Sequence, residues 1–211
     1  MKVLLVNGSY NPKGNTDLAL EEVSKELQRH GIETEIFQLG PNPIRDCINC
    51  LGCRKDGLCV FRDDVVNDFI LKAKEADGYV FGSPVYYAHP SGRILALLDR
   101  AFYAKSKNYA FKPVASVVVA RRAGTSTSFD VLNKYATISN MIVVGSSYWN
   151  NVFGALPGEA KMDEEGLQSM RNLARNMAYV LKLIELGKKN GIEPEPAERR
   201  SRTNFIREKK E

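Results

Sequence analysis

The stretch NGSYNPKGNT, Asn7 to Thr16, stands between the apolar run Val3 to Val6 and a segment whose apolar residues recur at helical spacing. A strand, a turn and a helix start in that order put backbone N–H groups and the positive end of a helix dipole at the carboxyl edge of a sheet, where a phosphate binds. Gly8 and Gly14 let the backbone come close to such a group, and Ser9, Asn11, Asn15 and Thr16 offer neutral hydrogen-bond donors. Two better-known phosphate loops compete for this position, and neither fits. The glycines are six apart, so GxGxxG is absent, and Gly14 is followed by Asn15 and Thr16 rather than by a lysine that would reach a β/γ-phosphate. A cradle of neutral donors suits one tightly held terminal phosphate, although Asn and Gly also punctuate ordinary βα turns.

Working outward, Thr16 or Asp17 caps a helix carrying Leu20, Val23 and Leu27, which Gly31 ends. Ile32 to Leu39 alternates like a strand. Pro41 and Pro43 interrupt regular structure, a cysteine segment follows, and Asp63 and Asp64 announce a helix with Val66, Phe69, Ile70 and Ala73 on one face. A third strand, Tyr79 to Gly82, leads into a loop, Ser83 to Pro90, and a helix from Ser91 or Gly92 burying Leu95, Leu98 and Phe102. Val114 to Ala120 is the strongest β-run. A loop, Arg121 to Ser128, a helix to about Ser139, a fifth strand from Met141 to Val144 and a long loop, Gly145 to Ala160, precede a final helix with Leu167, Met170, Leu173, Met177, Leu181 and Ile184. Five strands alternating with helices imply a doubly wound α/β fold, a parallel sheet covered on both faces. The expected order is 2-1-3-4-5. It brings Gly8 to Thr16 and Ser83 to Pro90 together at the switch point, the crevice where such sheets bind ligands.

At 211 residues and 44% hydrophobic, the chain is long enough for one sizeable core. The expected organisation is a single domain over 1–187 with a cysteine-rich insertion at 47–59, and a charged tail or arm over 188–211. No apolar run approaches the roughly 20 residues that span a bilayer. Asn7 and Gly8 interrupt the apolar start, so no signal peptide is expected and the chain reads as cytoplasmic. Of the formal charge of +5, the tail from Lys188 holds +3, eight Lys/Arg against five Glu, which leaves +2 for the body. That is no electrostatic footprint for a nucleic-acid backbone.

The second loop reads GSPVYYAHPSG, Gly82 to Gly92. Pro84 stiffens it, and Val85, Tyr86 and Tyr87 offer a flat apolar surface with hydrogen-bonding tips, suited to an aromatic cofactor such as a flavin beside an FMN phosphate. The same tyrosines also suit packing on a neighbouring helix. His89 is the candidate proton relay, though a histidine before proline is also a common turn residue.

All four cysteines fall in CINCLGCRKDGLC, Cys47 to Cys59, spaced C-x2-C-x2-C-x5-C. Burial is a poor explanation for thiols crowded into one loop, and a domain of this size in a reducing compartment needs no disulfides. Zinc sites draw two close pairs across a longer span, whereas thiolates at x2, x2 intervals wrap one face of a cubane cluster. Gly57 allows the loop to fold back so that Cys59 joins the other three. Free thiols lining the pocket remain a further reading.

GSYNPKGNT, SPVYYAHPSG with LLDR (Leu97 to Arg100), and RRAGT (Arg121 to Thr125) resemble the flavodoxin-like NAD(P)H-dependent FMN reductases over about Met1 to Val144. The resemblance implies a three-layer flavodoxin-like sandwich, FMN phosphate at Ser9, Asn15 and Thr16, the ring against Pro84, Val85, Tyr86 and Tyr87, and Ala123, Gly124 and Thr125 along its other edge. The arginines 121 and 122 depart from the glycine-rich version of that last loop. The cysteine segment is similar to that of the iron–sulfur flavoproteins, a branch of the same group, which implies a 4Fe–4S cluster on Cys47, Cys50, Cys53 and Cys59. Implied partners are a nicotinamide dinucleotide and a small electron acceptor or redox protein. The alternatives are a plain NAD(P)H:FMN or quinone reductase without a cluster, and a non-catalytic phosphate-binding module with a zinc knuckle. Apolar residues in Gly145 to Ala160 (Tyr148, Trp149, Val152, Phe153) point to a homodimer or homotetramer. In the tail, Pro194, Pro196, Phe205 and Ile206 are the anchors of an arm.

Overall fold

The computed structural model describes residues 1–195, 197, 198 and 201. In chain order the elements are β1 (Lys2–Asn7), α1 (Asn15–Arg29), β2 (Glu33–Gln38), α2 (Val66–Glu75), β3 (Gly78–Tyr86), β4 (His89–Pro90), α3 (Gly92–Lys105), β5 (Pro113–Ala120), α4 (Thr125–Ile138), β6 (Ile142–Val143), β7 (Asn151–Phe153) and α5 (Glu164–Lys189).

Side-chain alternation along the strands decides the layers. In β1, Val3 and Leu5 join the cluster under α1 and α5, while Leu4 and Val6 join the one under α2, α3 and α4. Val80 follows the first pair, and Tyr79 and Phe81 the second. Every residue of β5 is buried, as expected of a central parallel strand. The sheet runs β2-β1-β3-β5, and both β6 and β7 pair in parallel with β5. β6 meets the first residues of β5 and β7 the last, so the fifth position is one strand interrupted by residues 144–150. Counted that way, the order is the expected 2-1-3-4-5 and the fold is the flavodoxin-like three-layer sandwich. None of the described helices is long and apolar enough to cross a membrane.

Four local expectations change. Ser83 to Pro90 is a β-hairpin rather than a loop. β3 runs alongside β5 as far as Pro84 and continues to Tyr86, then turns back so that Val85 pairs with Pro90 and Tyr86 with His89. Pro84 is tolerated because it lies past the last β1 pair, Asn7 with Gly82, where only one flank of β3 is still paired. The turn residues Tyr87 and Ala88 both have positive φ, 48° and 60°, the twist a two-residue hairpin needs. Second, Gly14 is the N-cap of α1, so Thr16 and Asp17 lie inside its first turn. Third, α4 begins at Thr125, which shortens the preceding loop to residues 121–124. Fourth, the segment 145–160 contains β7, and Val152 is wholly buried in the core rather than part of an exposed apolar loop. The final helix also runs to Lys189, two residues past the expected end of the domain. Of the proposed arm, Pro194 is exposed, while Pro196, Phe205 and Ile206 lie outside the described residues.

Candidate functional site

The loops at the carboxyl edge of the sheet are tied to one another by named contacts. Gly8 donates its N–H to the Gly82 carbonyl at 2.8 Å, and a Cβ on Gly8 would stand 2.8 Å from that same oxygen. Ser91, the N-cap of α3, donates its hydroxyl to the Gly8 carbonyl at 2.7 Å, and its own N–H goes to Ser83 Oγ at 2.9 Å. The first loop is braced internally. Ser9 N–H donates to Asn7 Oδ1 at 3.0 Å, Asn11 N–H to Ser9 Oγ at 3.1 Å and Lys13 N–H to Asn11 Oδ1 at 3.0 Å. From β2, Gln38 Nε2 donates to the Ser9 carbonyl at 2.8 Å.

At the start of α1 no side chain caps the first N–H groups, and Thr16 and Ser9 are both buried beside them. That is the donor set a phosphate requires. Burial, reinforced by Glu21, pushes the Asp17 carboxyl up from its ordinary pKa. Asn15 has a different task from its neighbours. Its Nδ2 donates to the Leu156 carbonyl at 2.9 Å, and its Oδ1 accepts from the N–H groups of Gly158 and Ala160 at 3.0 and 3.2 Å. The side chain thereby pins the loop after β7 over the cradle and leaves its backbone N–H as its free donor.

The hairpin forms a second wall. Pro84 and Val85 are half-buried, Tyr86 is exposed, and Tyr87 at the tip is fully so. His89 is exposed on the return strand. The Arg121 to Thr125 loop presses on this hairpin. Gly124 has φ +88°, and a Cβ there would lie 2.6 Å from Ala88 Cα and 2.9 Å from Val85 Cγ1. Cradle, hairpin and the 121–124 loop therefore stand together at the carboxyl edge of the sheet.

The cysteine segment occupies the flank of α3. Cys47, Cys50, Cys53 and Cys59 line a single pocket together with Ile48, Leu51, Val60, Phe61, Arg100 and Tyr103. All four are free thiols. Among the described residues, no three His, Cys, Asp or Glu side chains converge as a single-ion site. Gly57, with φ +75°, turns the loop back as its position predicts, donating its N–H to the Cys53 carbonyl at 2.8 Å. Burial pushes the Cys53 thiol up, and the three neighbouring cysteines push it the same way.

Two residues that hold Cys59 escape sequence reasoning. Asn67 grips Cys59 by the backbone, accepting its N–H at 2.7 Å and donating to its carbonyl at 3.0 Å. Arg100, 2% exposed, donates Nε–H to Cys59 Sγ at 3.1 Å and Nη1 to the Arg45 carbonyl at 3.1 Å and to the Asp64 carboxylate. Burial pulls the guanidinium toward losing its proton, but Asp64 and Cys59 together hold it above the ordinary arginine range. The available signal is a basic residue on a helix face otherwise built from Ile94, Leu97, Leu98 and Ala101.

A family model described as NADPH-dependent FMN reductase matches residues 1–155. An iron–sulfur flavoprotein of Methanocaldococcus jannaschii is 35% identical over 196 residues, covering 88% of this chain and 100% of that protein. An iron–sulfur flavoprotein of Methanosarcina thermophila is 28% identical over 190 residues, covering 88% of this chain and 97% of that protein. Among solved structures, a flavodoxin from the domain Archaea superposes with a TM-score of 0.58 at 14% identity, over 86% of this chain and 99% of that one, which supports the fold. The chain belongs to the NADPH-dependent FMN reductase family, in its iron–sulfur flavoprotein branch, and is by class an NAD(P)H-dependent FMN oxidoreductase.

Proposed function

We propose that this protein is an electron-transfer flavoprotein that holds FMN at the carboxyl edge of the sheet and a 4Fe–4S cluster on Cys47, Cys50, Cys53 and Cys59. The observation that carries the reading is that all four cysteines line one pocket against α3, the helix whose N-cap is bonded to the phosphate loop. A cubane takes four thiolates arranged around a volume rather than gathered on a point, and four cysteines lining one pocket support that reading. The names of the relatives support the same assignment.

In this reading, backbone N–H groups of Asn15, Thr16 and Asp17, with the Ser9 and Thr16 hydroxyls, hold the FMN phosphate. Asn11 shapes the loop through its turn to Lys13. Pro84, Val85, Tyr86 and Tyr87 line one side of the ring, and Ala123, Gly124 and Thr125 the other. When bound, FMN supplies the step between a two-electron nicotinamide donor and one-electron carriers such as the cluster, the redox chemistry being the cofactors'. The chain contributes position, and the exposed tyrosines leave a face on which a reduced nicotinamide can stack. His89 stands at the rim as the proton relay. The acceptor is a small molecule or redox protein, the location is the cytoplasm, and the assembly is a homodimer or homotetramer through the exposed Tyr148 and Trp149.

The test is anaerobic purification followed by an absorption spectrum with iron and acid-labile sulfide assays. Yellow flavin bands with a broad brown shoulder, and iron and sulfide near about four per chain, are expected. Yellow alone after reconstitution would leave a plain FMN reductase, and a colourless zinc protein would leave the binding module. Cys53→Ser removes the brown component and spares the yellow. Ser9→Ala with Thr16→Ala weakens FMN retention and spares the iron; unchanged flavin content would refute that placement.

A further inference from the structure

We propose that Arg100, oriented by Asp64, positions Cys59 and sets the reduction potential of the iron–sulfur site, a proposal that rests on the cluster assignment above. The side chains of Arg100 and Asp64 are 1% and 3% exposed. A buried ion pair that served only to fasten α3 to the turn before α2 would be matched or bettered by apolar side chains. This one does more than fasten. The guanidinium turns its Nε–H onto Cys59 Sγ at 3.1 Å, and its Nη2 is buried with no partner among the described residues, while Arg100 lines the same pocket as the four thiols. A hydrogen-bond donor is thus left in the wall around the site, where cluster sulfur would be its acceptor. Phe61 covers the group, with Arg100 Cζ 5.3 Å from the ring centroid, and shields it from water.

The other thiols are treated differently. Among the described residues, Cys53 Sγ has only a 3.9 Å contact to the Tyr103 carbonyl, and Cys59 alone receives a cationic donor. The backbone of Cys59 is held separately by Asn67, so a change at Arg100 alters the sulfur's environment without releasing the loop. Hydrogen bonds and positive charge beside cluster sulfurs favour the more negative, reduced state and raise the potential. Asp64 opposes this by its charge while fixing the direction in which Arg100 points.

These roles give shifts of opposite sign, which a purely structural clasp does not. Midpoint potentials are measured by anaerobic spectroelectrochemical titration of protein with assayed iron content. Arg100→Met is expected to lower the cluster potential by at least a tenfold change in the one-electron equilibrium, about 59 mV. Asp64→Asn is expected to raise it. Arg100→Lys keeps the charge but loses the fork that donates to Cys59, so it retains iron and shifts the potential down by less than Arg100→Met. Should Arg100→Met lose its iron, the opposite signs of the upward shift in Asp64→Asn and the downward shift in Arg100→Lys decide the matter. Iron-replete variants whose potentials do not move, or all move the same way, overturn this proposal and leave the cluster assignment standing. Wild-type protein without iron or sulfide after anaerobic reconstitution overturns both.

Discussion

Replacing Gly124 by alanine tests whether the 121–124 loop and the hairpin form one wall. Two penalties combine. At φ +88° an alanine sits in the left-handed region, at about 1–2 kcal/mol relative to glycine. Its Cβ would also lie 2.6 Å from Ala88 Cα and 2.9 Å from Val85 Cγ1. Neither neighbour yields easily: Ala88 is backbone in a turn at φ 60°, and Val85 is fixed by its pairing with Pro90. Overpacking of this kind adds about 1–3 kcal/mol. The sum, about 2–5 kcal/mol, lowers the melting temperature by roughly 4–20 °C for a chain of this length. The assay is thermal unfolding of protein stripped of flavin, so that ligand linkage adds nothing to the difference. Gly92→Ala is the matched control, because a Cβ there meets nothing within 4 Å and φ is ordinary at the start of α3. It should be neutral or stabilising by up to about 1 kcal/mol. If Gly124→Ala unfolds within a degree or two of Gly92→Ala, the loop does not press on the hairpin and the crevice loses one of its walls.

Asn15→Ala removes three hydrogen bonds to the loop after β7, together about 1–3 kcal/mol of local stability. Amide exchange should accelerate at Gly158 and Ala160 while the middle of α1 keeps its protection; unchanged exchange at those two positions would disprove the pinning role. Glu26 joins α1 to α5, and the Arg175 guanidinium, then Arg29, hold its carboxyl below the usual range. A depressed folded-state pKa contributes stability above the unfolded carboxylate value that is lost as pH falls through the folded one. Urea titrations across that acid interval should show Glu26→Gln less stable than wild type at neutral pH, with the two curves converging in acid; a gap that stays constant would rule the linkage out.

What was legible in the sequence was whatever is written in short-range pattern. β1 with its turn and α1 follow from Val3 to Val6, the spaced glycines and the 3.6-residue rhythm of Leu20, Val23 and Leu27. The parallel sheet follows from the alternation of strands and helices, and its order from the flavodoxin-like resemblance. The missed features depend on contacts remote in sequence or on unfavourable backbone states. Tyr87 and Ala88 adopt positive φ with side chains that disfavour it, so no turn residue announces the hairpin. Val152 reads with Tyr148, Trp149 and Phe153 as the apolar surface of a loop, and only β5 gives it a strand to pair with. Asn15 reads as a ligand donor, whereas its partners lie 141 to 145 positions away. The motif around Arg100 is visible as LLDR, but that it meets Cys59 depends on how the cysteine segment folds back across α3.

α3 connects the two halves of the candidate site. Ser91 at its cap bonds the Gly8 carbonyl, Arg93 donates to the Asn42 carbonyl at 2.6 Å in the stretch leading to the cysteine segment, and Arg100 and Tyr103 line the cysteine pocket. From Ser91 to Arg100 is nine residues of helix, about 13 Å along the axis. The inner face of that helix is locked into the core through Ile94, Leu97, Leu98 and Ala101, and through the stacking of Phe102 on Tyr109 with centroids 4.3 Å apart. A packed helix does not stretch, so on the proposed reading the spacing between flavin and cluster is fixed by α3 and is insensitive to movement of the exposed hairpin tip. Distance is then no means of controlling electron flow in this protein. On the same reading, control falls to the relative potentials of the two centres, which is where a buried arginine aimed at one thiol, and a carboxylate set against it, would exert their effect.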